Sequence, residues 1–176
     1  MKRIVFLLLL LSVVSASAQF MNQRRGRGIR QSPMPNQNQP QEFVFNPEKA
    51  IGIVIYDVER AAKKIGLKNK KKDEYKQFST LLTKFNKDMR DLARINSFTF
   101  SQEKQNVESS HKLSMESRDF SLLEKAYKQA SEKFKPIVDQ VKEKEKKLDT
   151  SFKTFLSKKQ MTKWGKYKQK QKTKRP

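Results

Sequence analysis

Residues 75–95, YKQFSTLLTKFNKDMRDLARI, decide the fold class of this chain. Their large apolar side chains recur at spacings of three and four, which is the period of a helix that buries one face. The apolar positions are Tyr75, Phe78, Leu82, Phe85, Met89, Leu92 and Ile95. A stripe this regular is typical of helix packing rather than of a ligand site, so it predicts an all-α fold.

A second and longer apolar stripe runs from Leu123 to Phe155. Ser121 and Glu124 fit the S-x-x-E capping box, in which each side chain bonds to the other residue's backbone N–H, so we expect the helix to begin there. Pro136 lies within the stripe. Because proline removes one backbone hydrogen bond and crowds the preceding turn, we expect a kink in one long helix at this position.

The folded part is predicted to begin at residues 46–48, NPE, which suit the cap and first turn of a helix. Apolar residues then recur from Ile51 to Ile65, which predicts one helix of about four turns that ends at Gly66. Residues 96–119 are rich in Ser, Gln and Lys and predict a weakly amphipathic helix. The sequence therefore predicts four to five amphipathic helices, one of them long and kinked.

The first 18 residues have the features of a secretory signal peptide. Two basic residues precede the apolar run 4–11, and Ala16 and Ala18 have the spacing that signal peptidase requires. The run is much shorter than the roughly 20 residues of a membrane-spanning helix, and no later stretch is long enough. We expect cleavage after Ala18, a periplasmic or secreted product, and no transmembrane segment in the mature chain.

The remaining chain divides by composition. Residues 19–45 are rich in Gln, Pro and Arg and contain too few apolar side chains to fold, so they predict a disordered basic tether. The helical domain is predicted over residues 46–170, and residues 171–176 form a short basic tail.

The charge of the chain indicates an acidic partner. The formal net charge is +22, and +20 remains once Lys2 and Arg3 leave with the signal peptide. For an exported chain, unfolded or acidic proteins and anionic envelope surfaces are more plausible partners than nucleic acid. Cysteine is absent, so stability has to come from packing without disulfides.

The residue types needed for catalysis are scarce. The chain has one histidine and no cysteine, and its carboxylates are scattered among lysines. A nucleophilic, acid–base or metal site needs such groups close together, and no glycine-rich phosphate loop is present. We therefore expect a protein that is not an enzyme, with no catalytic residue, no metal site and no cofactor.

Residues 156–160, LSKKQ, fit the pattern L-[S/T]-x-x-Q. Ser157 can cap the last helix while the Gln160 side chain bonds back to the capping residue. Trp164 and Tyr167 follow on one helical face, where they can pack toward the turn. The motif predicts a corner that ends one helix and begins another at a fixed angle.

The same spacing occurs once more, earlier in the chain. Leu67, Lys71, Tyr75 and Phe78 repeat the intervals of Leu156, Gln160, Trp164 and Tyr167. Lys68 and Lys71 stand where the capping Ser and Gln would be, so only the apolar spacing survives in this degenerate first motif.

With this motif, an export signal, a basic charge, predicted helices and no cysteine, residues 46–170 resemble the Spy/CpxP family of periplasmic proteins, whose mark is a pair of L-T-x-x-Q motifs. The resemblance implies a thin, curved, helical hairpin that forms a homodimer and acts as an ATP-independent chaperone on its concave face. Relatives that act as envelope-stress regulators imply a second hypothesis, a protein that binds and restrains a membrane partner.

Client contacts are predicted at the lysines that flank the two corners, with apolar patches between them to hold a client loosely. These lysines are Lys63, Lys64, Lys68, Lys70, Lys71, Lys72, Lys158, Lys159, Lys163 and Lys166. Trp164 and Tyr167 among the lysines could instead stack on the bases of a nucleic acid. Their helical spacing favours core packing over that alternative.

Overall fold

The structure is a computed structural model that describes residues 43–173. These residues form six α-helices and contain no strand. In chain order the helices are α1 (Pro47–Ile51), α2 (Val58–Ile65), α3 (Asp73–Ile95), α4 (Ser97–Ser117), α5 (Ser121–Lys153) and α6 (Lys158–Thr173). The all-α prediction is confirmed for this range, whereas the predicted signal peptide, most of the tether and residues 174–176 lie outside the described residues.

The long helix α5 is the element on which the others pack. Near its C-terminal end, Phe152 stacks on Phe78 of α3 with ring centroids 4.7 Å apart. In its N-terminal half, Phe134 meets Phe100 of α4 edge-on at 5.8 Å. The helices α3 and α4 therefore run antiparallel to α5, one after the other. Asn96 alone separates them, and its side chain donates to the Leu92 carbonyl at 2.8 Å.

The prediction of one helix from Ile51 to Ile65 is wrong, because the chain breaks there into two helices. Gly52 adopts a left-handed conformation with φ of 88° and its N–H bonds to the Glu48 and Lys49 carbonyls, which ends α1. Residues 53–57 then run without helix, and the Asp57 side chain accepts from the backbone N–H of Arg60 to cap α2. The apolar periodicity continues across this break, so the sequence pattern does not show it.

The capping box predicted at the start of α5 is also wrong. Ser121 is the first helical residue, and its N–H donates to the Asp119 side chain at 2.9 Å. Phe120 occupies the cap position and makes no side-chain cap hydrogen bond. Pro136 lies inside α5 and, as predicted, does not end it. Its ring is exposed, so the side of the helix that faces the core keeps its packing.

Residues 43–57 form an N-terminal strap that lies against the helices. Phe45, which the sequence assigns to the tether, packs on Tyr127 and Phe134 of α5. At the other end of the strap, the buried Asn86 side chain accepts from the Tyr56 N–H at 2.9 Å and donates to the Tyr56 carbonyl at 2.7 Å. These two hydrogen bonds satisfy the backbone N–H and C=O of Tyr56, which no strand pairs with in the described residues.

Candidate functional site

The turn between α5 and α6 contains both hydrogen bonds of a capping box. The Ser157 N–H donates to Gln160 Oε1 at 2.8 Å, and the Gln160 N–H donates to Ser157 Oγ at 3.3 Å. These bonds satisfy two donors that the start of a helix otherwise leaves free, so they fix the direction of α6. Leu156 is buried beneath the turn as part of the core.

Trp164 and Tyr167 of α6 point into the core. Trp164 is 1% exposed, and its indole N–H donates to Asp149 Oδ1 on α5 at 2.8 Å. Its ring lies 5.3 Å from Phe152 and 5.9 Å from Phe78, edge-on in both cases. Tyr167 is 6% exposed. Neither ring is available to stack on a base, which removes the aromatic part of the nucleic-acid alternative.

Two lysines on the inward side of α6 hold this helix on α5. Lys168 Nζ lies 2.5 Å from Asp149 Oδ2 and 5.7 Å above the Trp164 ring. Lys172 Nζ lies 2.8 Å from the Glu145 carboxylate. Because Asp149 also accepts from the indole, one carboxylate of α5 binds both Trp164 and Lys168 of α6.

The first corner keeps the apolar residues of the motif and has no box. Gly66 has φ of 96°, and the Leu67 N–H bonds to the Ala62 carbonyl at 2.9 Å, a Schellman ending of α2. Leu67 and Phe78 are buried, Tyr75 is half-buried and Lys71 is exposed. No side chain caps α3, in agreement with the lysines that replace the capping Ser and Gln.

The structure brings the two corners together. Gln160 of the second corner lines a small cavity of about 310 Å³ with Gly66, Leu67 and Lys68 of the first. Phe78 and Trp164 meet behind it. We call the two corners with α2 and α6 the corner end of the molecule.

All ten lysines predicted to contact clients are exposed. Lys70 pairs with Glu59 at 2.5 Å, and within residues 43–173 the other nine make no salt bridge. The corner end therefore presents a concentration of positive charge in which most members form no salt bridge with the described residues.

The expectation of apolar patches between these lysines is not met. The exposed large apolar residues of the described range are Val44, Ile55, Ile95, Phe98, Leu113, Met115, Phe120 and Leu122. Four of them surround the turn between α4 and α5, at the opposite end of α5, and we call them the apolar tip: Leu113, Met115, Phe120 and Leu122. Ile55, which precedes α2, is the one nearest in sequence to the lysines.

A feature that sequence reasoning missed is the polar interior of α4. Glu103 and Ser114 are buried on the face that meets α5. Lys133 of α5 pairs with one Glu103 oxygen, while Glu103 Oε2 and Ser114 Oγ have no hydrogen-bond partner among the described residues. The sequence pattern that indicates this face is the spacing of Phe100, Glu103, Val107 and Ser114. The pattern is recognised only if a glutamate is accepted as a core residue.

The groups best known for catalysis or metal binding are dispersed. The His111 ring stacks on Phe43 at 4.2 Å. In residues 43–173 no three His, Cys, Asp or Glu side chains are grouped so that they could hold a metal ion. Burial, reinforced by Glu145 and Asp149, raises the pKa of Tyr56 far above its ordinary value of 10.0, so its hydroxyl stays protonated. None of the described helices is both long and apolar enough to cross a membrane.

Comparison of the chain with protein-family models, curated proteins and solved structures finds no match. The resemblance to the Spy/CpxP family therefore stays a prediction that depends on the motif at residues 156–160.

Proposed function

We propose that this protein is an ATP-independent, chaperone-like binding protein of the periplasm that captures unfolded or acidic polypeptides. The observation that carries the proposal is the corner end, where nine of the ten exposed lysines predicted to contact clients form no salt bridge within the described residues. Uncompensated positive charge attracts acidic chains over a range of about 10 Å at 0.1 M salt. Such attraction raises the rate of encounter more than the strength of the final complex.

The apolar tip supports the second step, in which a captured chain is held. Its four side chains are between 37% and 60% exposed and belong to two helices and the turn between them. Exposed apolar side chains can contact the apolar side chains of an unfolded chain, and Leu113 and Met115, two residues apart on α4, offer such contacts on two sides of this helix. A few half-exposed side chains give weak contacts, which suits a client that has to leave without nucleotide hydrolysis.

The separation of charge and apolar surface defines the clients that fit best. The corner end and the apolar tip lie at opposite ends of α5, whose 33 residues span about 50 Å. An unfolded chain can reach both, because a flexible chain of about 70 residues has a mean end-to-end distance of this order. A small folded protein with one acidic patch reaches the corner end alone.

The test is aggregation of two unrelated denatured proteins, followed by light scattering without ATP. We expect a twofold excess of this protein to suppress both. A variant with Leu113, Met115, Phe120 and Leu122 replaced by Ser should lose most of this effect, since it keeps the charge and loses the holding surface. The matched control replaces Ile95 and Phe98, which are exposed elsewhere, and should keep it.

Unchanged scattering of both clients would contradict the proposal. Saturable binding to one envelope protein, without suppression, would favour the regulator hypothesis instead. The homodimer that the family resemblance implies is tested separately by sedimentation equilibrium of the same preparation.

A further inference from the structure

The last helix carries a row of lysines that core packing does not explain. Lys159, Lys163, Lys166 and Lys170 follow one another at spacings of four, three and four residues along α6. Side chains with these spacings leave a helix on one face, so the four charges form a row about 16 Å long. All four are exposed, and none forms a salt bridge within the described residues.

A second set of positive charges lies on α2. Arg60, Lys63 and Lys64 are exposed, whereas Ala61 and Ala62 on the opposite side are completely buried against the core. The packing of α2 therefore turns its three cations outward, together with Glu59, whose carboxylate is paired with Lys70.

The two sets belong to one surface because α2 and α6 pack side by side. Gly66 at the end of α2 lies next to the Lys163 ammonium, and Tyr56, two residues before the start of α2, packs on Tyr167 with ring centroids 6.1 Å apart. The helices thus run antiparallel. We call the four lysines of α6 and the three cations of α2 the basic face.

No acidic residue of α6 can compensate the row, because α6 contains none. The acids that α6 contacts on α5, Asp149 and Glu145, are already paired with Lys168 and Lys172 on its inward side. Like charges three and four residues apart weaken a helix. The row is therefore unfavourable for folding in the absence of an anion, and a bound anion would relieve this repulsion.

The basic face contains no group that would insert into a partner. The side chains between the lysines of the row are polar at Thr162 and Gln169, and Gly165 has none. Met161 is partly buried and packs against the core, and the aromatic rings of Trp164 and Tyr167 point inward. Base stacking and apolar insertion both need exposed rings or aliphatic groups, so contact on this face is electrostatic.

We propose that the basic face adsorbs to a membrane surface that contains anionic phospholipid headgroups. Two neighbouring helices distribute the cations over an area, as a layer of headgroups distributes its phosphates, whereas an acidic peptide offers a single line of charge. Each lysine close to such a surface changes the partition coefficient by roughly fivefold. Without apolar insertion, the protein lies on the surface reversibly and leaves it as salt rises.

The test is sedimentation of the purified protein with two kinds of vesicle, phosphatidylcholine alone and the same lipid with roughly one third phosphatidylglycerol. We expect binding to the mixed vesicles only, and release near 1 M salt, where the Debye length is about 3 Å. The emission of Trp164, the only tryptophan of the chain, should not shift on binding.

Two variants with equal loss of charge locate the contact. The first changes the row to glutamine: Lys159→Gln, Lys163→Gln, Lys166→Gln and Lys170→Gln. The second changes exposed lysines on α3, α4 and α5: Lys87→Gln, Lys112→Gln, Lys125→Gln and Lys128→Gln. We expect the row variant to lose at least about tenfold in partition coefficient and the control to stay within about threefold. Circular dichroism checks that both remain helical.

Several outcomes would overturn the proposal. Equal losses in both variants would mean that only net charge matters. Binding to phosphatidylcholine alone would mean apolar insertion. A shift of the emission of Trp164, which is buried, would mean that the corner end opens at the membrane instead of adsorbing as a folded surface. Binding of polyglutamate without binding of mixed vesicles would identify an acidic polypeptide as the partner of this face. Vesicle binding and suppression of aggregation are measured separately, so either proposal can fail while the other stands.

Discussion

The two ends of α5 are built in opposite ways. At the corner end, aromatic rings such as Trp164 fill the interior, and the buried polar atom without a hydrogen-bond partner among the described residues is the Tyr56 hydroxyl, which lies beside them. Along α4, Glu103 and Ser114 are buried and each has an oxygen atom without a hydrogen-bond partner among the described residues, whereas Leu113 and Met115 near the α4–α5 turn are exposed. A buried polar group without a hydrogen bond costs free energy, and an exposed apolar group contributes none. Two regions with the same helix content can therefore differ widely in stability, and we expect the corner end to be the more stable one.

The largest expected effect comes from removing the ring at the centre of the corner end. Trp164→Ala should lower the free energy of unfolding by about 4 kcal/mol, because it leaves a cavity and an unpaired Asp149 carboxylate oxygen. Urea unfolding followed by circular dichroism measures it. Phe120→Ala at the α4–α5 turn removes an exposed ring and should change the value by less than about 0.5 kcal/mol. Similar losses in both variants would refute the contrast between the two ends.

The next effect tests the buried acid of α4. Lys133→Met leaves the Glu103 carboxylate buried without its partner and should cost about 2 kcal/mol. Adding Glu103→Leu should return the stability to that of the unchanged protein or raise it further. Apolar groups of similar volume can replace a buried ion pair without loss of stability. Thermal unfolding of the single and double variants measures both steps. A double variant less stable than Lys133→Met would show that Glu103 contributes packing that leucine cannot supply.

A smaller effect distinguishes the two predicted capping boxes. Ser157→Ala removes a bond that the structure contains and should lower the free energy of unfolding by about 1 kcal/mol. Ser121→Ala removes a side chain that caps nothing at the start of α5 and should change it by less than about 0.5 kcal/mol. Denaturant midpoints of the two variants give the comparison, and the reverse order would contradict the hydrogen bonding described for these turns.

The smallest effect concerns a residue with positive φ at each end. Arg118, after α4, has φ of 60°, and Gly66, after α2, has φ of 96°. Arg118→Gly should raise the free energy of unfolding by about 0.5 kcal/mol, whereas Gly66→Ala should lower it by about 1 kcal/mol. Differential scanning calorimetry measures both. A destabilising Arg118→Gly would mean that the arginine side chain contributes more than its backbone conformation costs.

The sequence predicts well those parts of the fold that follow from apolar periodicity. The stripes of α3 and α5 lead to the correct helices, and the spacing of Ser157 and Gln160 leads to a box whose hydrogen bonds are present. The break at Gly52 escapes the same reasoning, because a glycine with positive φ and the cap at Asp57 leave the apolar period unchanged. Periodicity reports which face is buried and carries no information on where the backbone turns.

The candidate site is only partly predictable for a related reason. The sequence shows that lysines flank both motifs, and the structure adds that the motifs adjoin at one cavity. That adjacency depends on the packing of α2 against α6, which is a long-range contact without a local signal. A sequence is interpreted on the rule that charged residues are exposed and apolar residues are buried. Glu103 is buried and Leu113 is exposed, so this rule does not find them and the structure does.

Because α6 carries lysines on both its outer and its inner side, added salt has two opposite effects on this helix. On the outer side, added salt screens the repulsion within the row and favours the docked helix. On the inner side, it weakens the attraction of Lys168 and Lys172 for their carboxylates. The inner pairs are partly buried and are screened less than the exposed row, so moderate salt should tighten the attachment of α6 to the rest of the molecule.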